Sequence, residues 1–170
     1  MEHELNAKTR AWLAERGVRI DDIVDLVVHL QHPYFPDLKR EACAQSVERV
    51  LEKREAQNAI LTGIQLDLLA EQGALEEPLQ TLIAKDAGFY GIDEALALAI
   101  LNLYGSIGLT SFGYLDKTKP GIIGVLNRHK GGRVHTFLDD LVAAVAAAAS
   151  SRLAHRLLDP LHTMPPKAPR

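Results

Sequence analysis

With a single cysteine, Cys43, the 170-residue chain cannot form an internal disulfide or a cysteine-rich zinc site. Basic residues are not in excess. Nineteen lysines and arginines against 22 acids give a net charge of −3 and a pI near 6.2, so no nucleic-acid partner is expected. The opening MEHELNAKTR has no apolar core behind a basic region, so no signal peptide is expected and the cytoplasm is the expected location. Period-two alternation with β-branched enrichment is missing, as is any repeat at fixed spacing. What remains is 47% apolar and 24% charged, enough to build the core of one ordinary domain. The pattern predicts an all-α fold, a compact multihelical bundle over 1–158. A proline-rich tail over 159–170, with Pro160, Pro165, Pro166 and Pro169, is expected to be frayed.

The helices follow from apolar spacing and from breakers. Asn6 is expected to cap a short helix carrying Trp12 and Leu13 that stops at Gly17. Asp21 or Asp22 opens a second, with Ile23, Leu26, Val27 and Leu30 on one stripe. His32-Pro33-Tyr34-Phe35-Pro36 breaks it. Asp37 caps a long helix expected to run to Gln72, in which Gly63 either bends the helix or admits a close neighbour. Gly73 and Pro78 bracket a turn and a short helix to Lys85. Ala95–Leu115 carries no charge over 21 positions, long enough for a membrane span. Asn102, Ser106, Thr110 and Ser111, with three glycines, make it too polar and too broken for that. A central buried helix over about Asp93–Tyr104 is expected instead. Thr136 is expected to start the last helix, through about His155, and its Ala143–Ala149 run lets neighbours approach closely. Wide apolar and alanine-rich faces on a short all-α chain predict a homo-oligomer.

Three motifs have ordinary explanations. Cys43 and Arg49 have the C-x5-R spacing of cysteine phosphatases, but the five residues between them lack glycine and follow a helical pattern, so no phosphate cradle is expected. Asp21-Asp22-x-x-Asp25 spells a diphosphate-binding signature, yet acids in a first helical turn are what the macrodipole favours. Glu52-Lys-Arg-Glu55 resembles half of the acidic signature of all-α nucleotide pyrophosphatases and equally describes a solvated helix face.

The charge distribution is uneven. Ile64 to Phe112 holds seven acids and one base, whereas Gly113 to His135 holds five bases and one acid. Asp93-Glu94 opens one helix, Asp116 with Lys119 closes the uncharged segment, and His135, Thr136, Asp139 and Asp140 open the last helix. His135 and Asp139 share a face if both are helical. Thr136-x-x-Asp139 also reads as a capping box. Together these acids supply oxygen in excess, which suits Mg²⁺ beside a phosphate.

The string Phe112-Gly-Tyr-Leu-Asp116-Lys-Thr-Lys119-Pro120-Gly-Ile-Ile, then Gly131-Gly132, then Asp139-Asp140-Leu-Val-Ala, resembles the phosphatidylglycerophosphatase A family. Asp93-Glu94 matches that family's upstream acidic pair. From about Lys8 to His155 the chain is similar to the soluble branch, the low temperature requirement C-like proteins. The resemblance implies a Mg²⁺-dependent phosphomonoester hydrolase, with phosphatidylglycerophosphate as the family's substrate. It also implies Asp93, Glu94, Asp116, Asp139 and Asp140 as metal ligands or bases and Lys119 as a phosphate contact; Arg128 and Lys130, from the basic segment, are expected to help Lys119 bind the substrate. Asp116, Asp140 and His135 are the candidate catalytic groups. The expected partner is a phosphorylated small molecule or a phospholipid head group, met by peripheral membrane contact without a transmembrane segment. Membrane members carry an arginine where this chain has Gly113, as well as hydrophobic spans absent here. Those departures point to the alternative of a non-catalytic regulatory or anion-binding module. A second alternative is a nucleotide pyrophosphatase using Glu52 and Glu55.

Overall fold

The computed structural model describes residues 2–128 and 131–159 and is built of helices joined by turns, with no strand among the described residues. Nine helices are described: α1 Glu2–Glu15, α2 Ile20–Gln31, α3 Arg40–Leu51, α4 Arg54–Glu71, α5 Leu79–Ala84, α6 Ile92–Leu101, α7 Ser106–Thr118, α8 Gly121–Asn127 and α9 Leu138–Leu158. The all-α bundle around one central helix is as expected, but a different helix occupies the centre. Of α9's 21 residues, sixteen are buried, including every residue from Leu138 to Ser151, and α2, α3, α4, α6, α7 and α8 all pack on it.

Composition explains the choice. Ala143, Ala144 and Ala146 to Ala149 present so little side chain that six helices can reach one rod, while Leu138, Leu141, Val142, Val145 and Leu153 fill the gaps between them. Each of those larger side chains contributes about 1.5–3 kcal/mol on burial. By length and composition alone α9 could cross a membrane, but 72% of its most apolar stretch is buried within the bundle. The segment Asp93–Tyr104, expected at the centre, is instead peripheral. Its helix ends at Leu101, and Ile92, Leu98 and Leu103 are exposed. Gly105 then breaks the chain before α7, so the uncharged run is divided between two helices.

Other boundaries also differ from expectation. The first helix begins at Glu2, and Asn6 lies inside it, its side chain donating to the Leu51 carbonyl rather than capping. The Asp37–Gln72 helix is two helices, because Lys53 adopts an extended backbone (ψ 128°) that caps α4. Lys39, not Asp37, is the N-cap of α3. Gly63 does not bend α4; it admits α9. A Cβ there would overlap Leu141 Cδ1 and lie 2.9 Å from Phe137 Cβ. A further short helix, α8, follows Pro120. The expected proline-rich tail falls mainly on residues 160–170, outside the described ones.

Candidate functional site

The first turns of α6 and α9 and the last turn of α7 meet at one end of the bundle, and each contributes acids. Gly91, with φ +76°, starts α6 and aims its first turn inward; Asp93 is buried there and Glu94 is exposed. One ligand oxygen from each of Asp93, Glu94 and Asp140 lies within 4.8 Å of the others. Beside them, Lys119 Nζ lies 2.7 Å from Asp116 Oδ1, 3.1 Å from Asp139 Oδ2 and 3.7 Å from Asp140 Oδ1. The five predicted acids therefore gather, but in two overlapping groups. Asp93, Glu94 and Asp140 form an open carboxylate cluster, Asp116 and Asp139 hold the lysine, and Asp140 belongs to both.

The backbone fixes Lys119. It occupies the left-handed region (φ 46°, ψ 50°) as the C-cap of α7, followed by Pro120, which cannot continue the helix. Gly124 on α8 closes over it so tightly that a Cβ would lie 2.5 Å from the Lys119 carbonyl oxygen. The Lys119 backbone is thus fixed by its own left-handed cap and by the close approach of α8.

Burial sets the electrostatics. It pushes the Asp140 carboxyl up to about 8, with Asp139, Asp116 and Asp93 adding to the rise and Lys119 opposing it. Burial likewise raises Asp139, against the pull of Lys119. Glu94 is raised by a hydrogen bond with the Asp93 carboxyl and by burial. For Lys119, burial works against the charge, but Asp139, Asp116 and Asp140 outweigh it and hold the ammonium above the ordinary lysine range. One lysine does not neutralise this much negative charge. Asp93 Oδ1 is also buried without a hydrogen-bond partner, an orphan that proteins seldom leave unmatched. An all-oxygen donor set, excess negative charge and one unmatched carboxylate oxygen fit a hard divalent cation such as Mg²⁺.

The remaining predicted residues lie elsewhere. His135 precedes α9 rather than sharing its face with Asp139, and its Nδ1 is 3.1 Å from Arg16 Nη2. Arg16 also donates to the Val134 carbonyl and pairs with Glu71, which accepts from Val134 N at 2.7 Å. His135 therefore belongs to the buried clamp that anchors the chain before α9. Arg128 ends α8 exposed, with no hydrogen bond to the acids among the described residues. Lys130 lies outside the described residues. The expected capping box is not formed, because Thr136 Oγ1 donates to Ile83 O at 2.6 Å.

Asp67, which the sequence reasoning passed over, takes that role. From α4 its two carboxylate oxygens accept from Phe137 N and Leu138 N, each at 3.1 Å, and so cap α9 from a neighbouring helix. Burial raises its carboxyl to about 8, against those two backbone donors. Its sequence signal is its phase: Ile60, Gly63, Ile64 and Asp67 share the buried face of α4, where an unpaired acid is out of place. Asp86 is the other omission, and its charge acts on Asp139.

Residues of the three other motifs are buried or ion-paired locally. Cys43 is buried in α3 with its thiol pushed up by burial. Asp22 pairs with Arg19, and Asp21 and Asp25 both pair with Arg40. Glu52 pairs with Arg49 at 3.0 Å.

The sequence model described as phosphatidylglycerophosphatase A matches residues 11–155. The uncharacterised Bacillus subtilis protein YutG is 59% identical over 153 residues, covering 90% of this chain and 92% of its own. A crystal structure of the low temperature requirement C protein from Listeria monocytogenes superposes with a TM-score of 0.89 at 61% identity, covering 91% of this chain and 98% of that one. A crystal structure of protein ypjQ from Bacillus subtilis gives a TM-score of 0.88 at 53% identity, covering 92% and 97%.

Proposed function

The chain belongs to the phosphatidylglycerophosphatase A family, and from that premise we propose that it is a Mg²⁺-dependent phosphomonoester hydrolase. The observation that supports this most is the buried, unpartnered Asp93 Oδ1 beside Glu94 and Asp140, with Lys119 against the same acids. Bound Mg²⁺ supplies charge neutralisation at phosphoryl oxygens and a water of lowered pKa. Asp93, Glu94 and Asp140 would hold it, and the substrate phosphate would complete the oxygen shell. Lys119 would turn from the carboxylates to the equatorial phosphoryl oxygens, where negative charge is greatest in the transition state. Asp116, the more exposed of its partners, would accept the proton of the attacking water. The phosphorus–oxygen ester bond then breaks, and the alcohol leaves with a proton from solvent. No covalent nucleophile is required, and Cys43 lies buried in α3.

The substrate in this proposal is a phosphate monoester of a glycerol-like head group, free or at a lipid surface. Fully exposed Phe89 and half-exposed Ile92 flank Asp93 and support the membrane-surface case. Self-association, with cytoplasmic residence, is part of the same proposal; exposed Tyr34 and Leu158 on an apolar groove of about 980 Å³ support it, and light scattering checks it.

Phosphate release from a panel of monoesters, with Mg²⁺ and with chelator, tests the chemistry in wild type and Asp140→Asn. Turnover is expected only for wild type with metal. Activity indifferent to both changes removes the mechanism. A non-catalytic anion-binding module on the same fold is supported by one observation: three carboxylates already engage Lys119, and phosphate must displace one. Binding without turnover in the same panel selects that reading.

A further inference from the structure

The Glu52–Glu55 motif has no part in the acidic centre. It lines a cleft of about 750 Å³ where the end of α3, the α3–α4 junction, the turn after α6 and the outer half of α9 meet. The walls carry Arg49, Lys53 and Arg152 against Glu52 and Glu55, with Leu103 and Tyr104 as the less polar side. Arg49 Nη1 donates to Glu52 Oε2 at 3.0 Å, so that pair cancels. Lys53 and Arg152 are left to face Glu55, with Arg156 adding positive charge one turn along α9.

One cationic donor in this cleft, Arg152, has unmet capacity. Arg152 is partly buried, and its only hydrogen bond among the described residues is a long one, from Nη1 to Ser46 Oγ at 3.5 Å. Burial, then the Arg156 and Arg49 cations, hold its guanidinium below its ordinary value, with Tyr104 and Glu52 opposing. A guanidinium in this state gains from a doubly charged oxyanion, which it can meet with two parallel N–H donors.

We propose that this cleft is a second anion site that takes a phosphate monoester with a small organic body, held by Arg152 and Lys53. The volume exceeds what bare phosphate fills, and Leu103 offers apolar contact to the remainder. Arg152 follows Asp140 by twelve positions on α9, about 18 Å along the helix, so this site is separate from the carboxylate centre.

The test is a titration of the full chain with glycerol 3-phosphate in chelator, followed by ¹H–¹⁵N NMR, with glycerol as the uncharged control. Saturable shifts are expected at Lys53, Leu103, Tyr104 and the Arg152 Nε–H, and none with glycerol. Arg152→Gln should weaken binding about tenfold, the loss of one bidentate contact. Lys53→Gln, at an exposed position that leaves the fold intact, should weaken it several-fold, whereas Asp140→Asn should leave it unchanged. Shifts confined to the Lys119 end, equal shifts with glycerol, or binding indifferent to both cleft variants overturns the proposal. Loss of hydrolysis in Asp140→Asn bears only on the carboxylate centre.

Discussion

Replacing Asp140 by asparagine should make the metal-free protein more stable while abolishing its response to metal. The folded protein holds Asp140's proton up to about pH 8, whereas an unfolded chain releases it near 3.9. At pH 7 this separation spans about three powers of ten in proton affinity, at ~1.4 kcal/mol each, giving a ceiling of about 4 kcal/mol. Asp139 and Lys119 share the cost, so roughly half, about 2 kcal/mol, is expected on mutation. The sign follows from a raised acid: the folded state has its full relative stability below the unfolded value and loses it as pH climbs toward 8. Asparagine has no proton to retain. In chelator at pH 7 the variant should therefore melt about 4–8 °C above wild type, by the usual ~2–4 °C per kcal/mol for a domain of this size. The gain should vanish near pH 4. Adding millimolar Mg²⁺ should raise the wild-type midpoint by preferential binding to the folded state and leave the variant where it was. Differential scanning calorimetry with and without Mg²⁺ measures both halves. A variant that melts below wild type in chelator, or that gains as much from Mg²⁺, refutes the reasoning.

Lys119→Met removes the cation held among Asp116, Asp139 and Asp140 and should cost about 3 kcal/mol in urea melts at pH 7, and less as the pH falls and the carboxylates that pair with it take up protons. Gly63→Ala should cost about 1–3 kcal/mol, because the new methyl meets Phe137 Cβ at the α4–α9 crossing; denaturant midpoints check it. Asp67→Ala unpairs two buried amides and should cost about 2–4 kcal/mol, with hydrogen exchange accelerating first at Phe137 and Leu138. Gly124→Ala should lower turnover without removing any charged group, since it displaces the Lys119 carbonyl.

The sequence disclosed more of the site than of the packing order. Asp93, Glu94, Asp116, Lys119, Asp139 and Asp140 were legible because acids at helix ends around an uncharged segment form a pattern, and the fold does bring those ends together. The central helix was misplaced for a physical reason. Uniform hydrophobicity pointed to Asp93–Tyr104, yet what decides the axis of a crowded bundle is small side-chain volume, which α9 has and α6 lacks. His135 was misjudged because helical spacing presupposes a helix, and α9 starts three residues later. Asp67 was hidden because its partners are backbone amides 70 and 71 positions away, contacts no local pattern encodes.

The thinness of the alanine rod at the centre carries a cost in adaptability. Where a core is filled by leucines, an enlarged residue can be accommodated by rotamer changes nearby. Around Ala143–Ala149 the neighbours are whole helices already at their closest approach, so a single added methyl must translate an entire element. Because Asp139 and Asp140 ride on the same rod, such a translation would reach the chemistry as well. Engineering for robustness in this scaffold should therefore work inward from the solvent-facing sides of α1, α3 and α5, and leave the axis as it is.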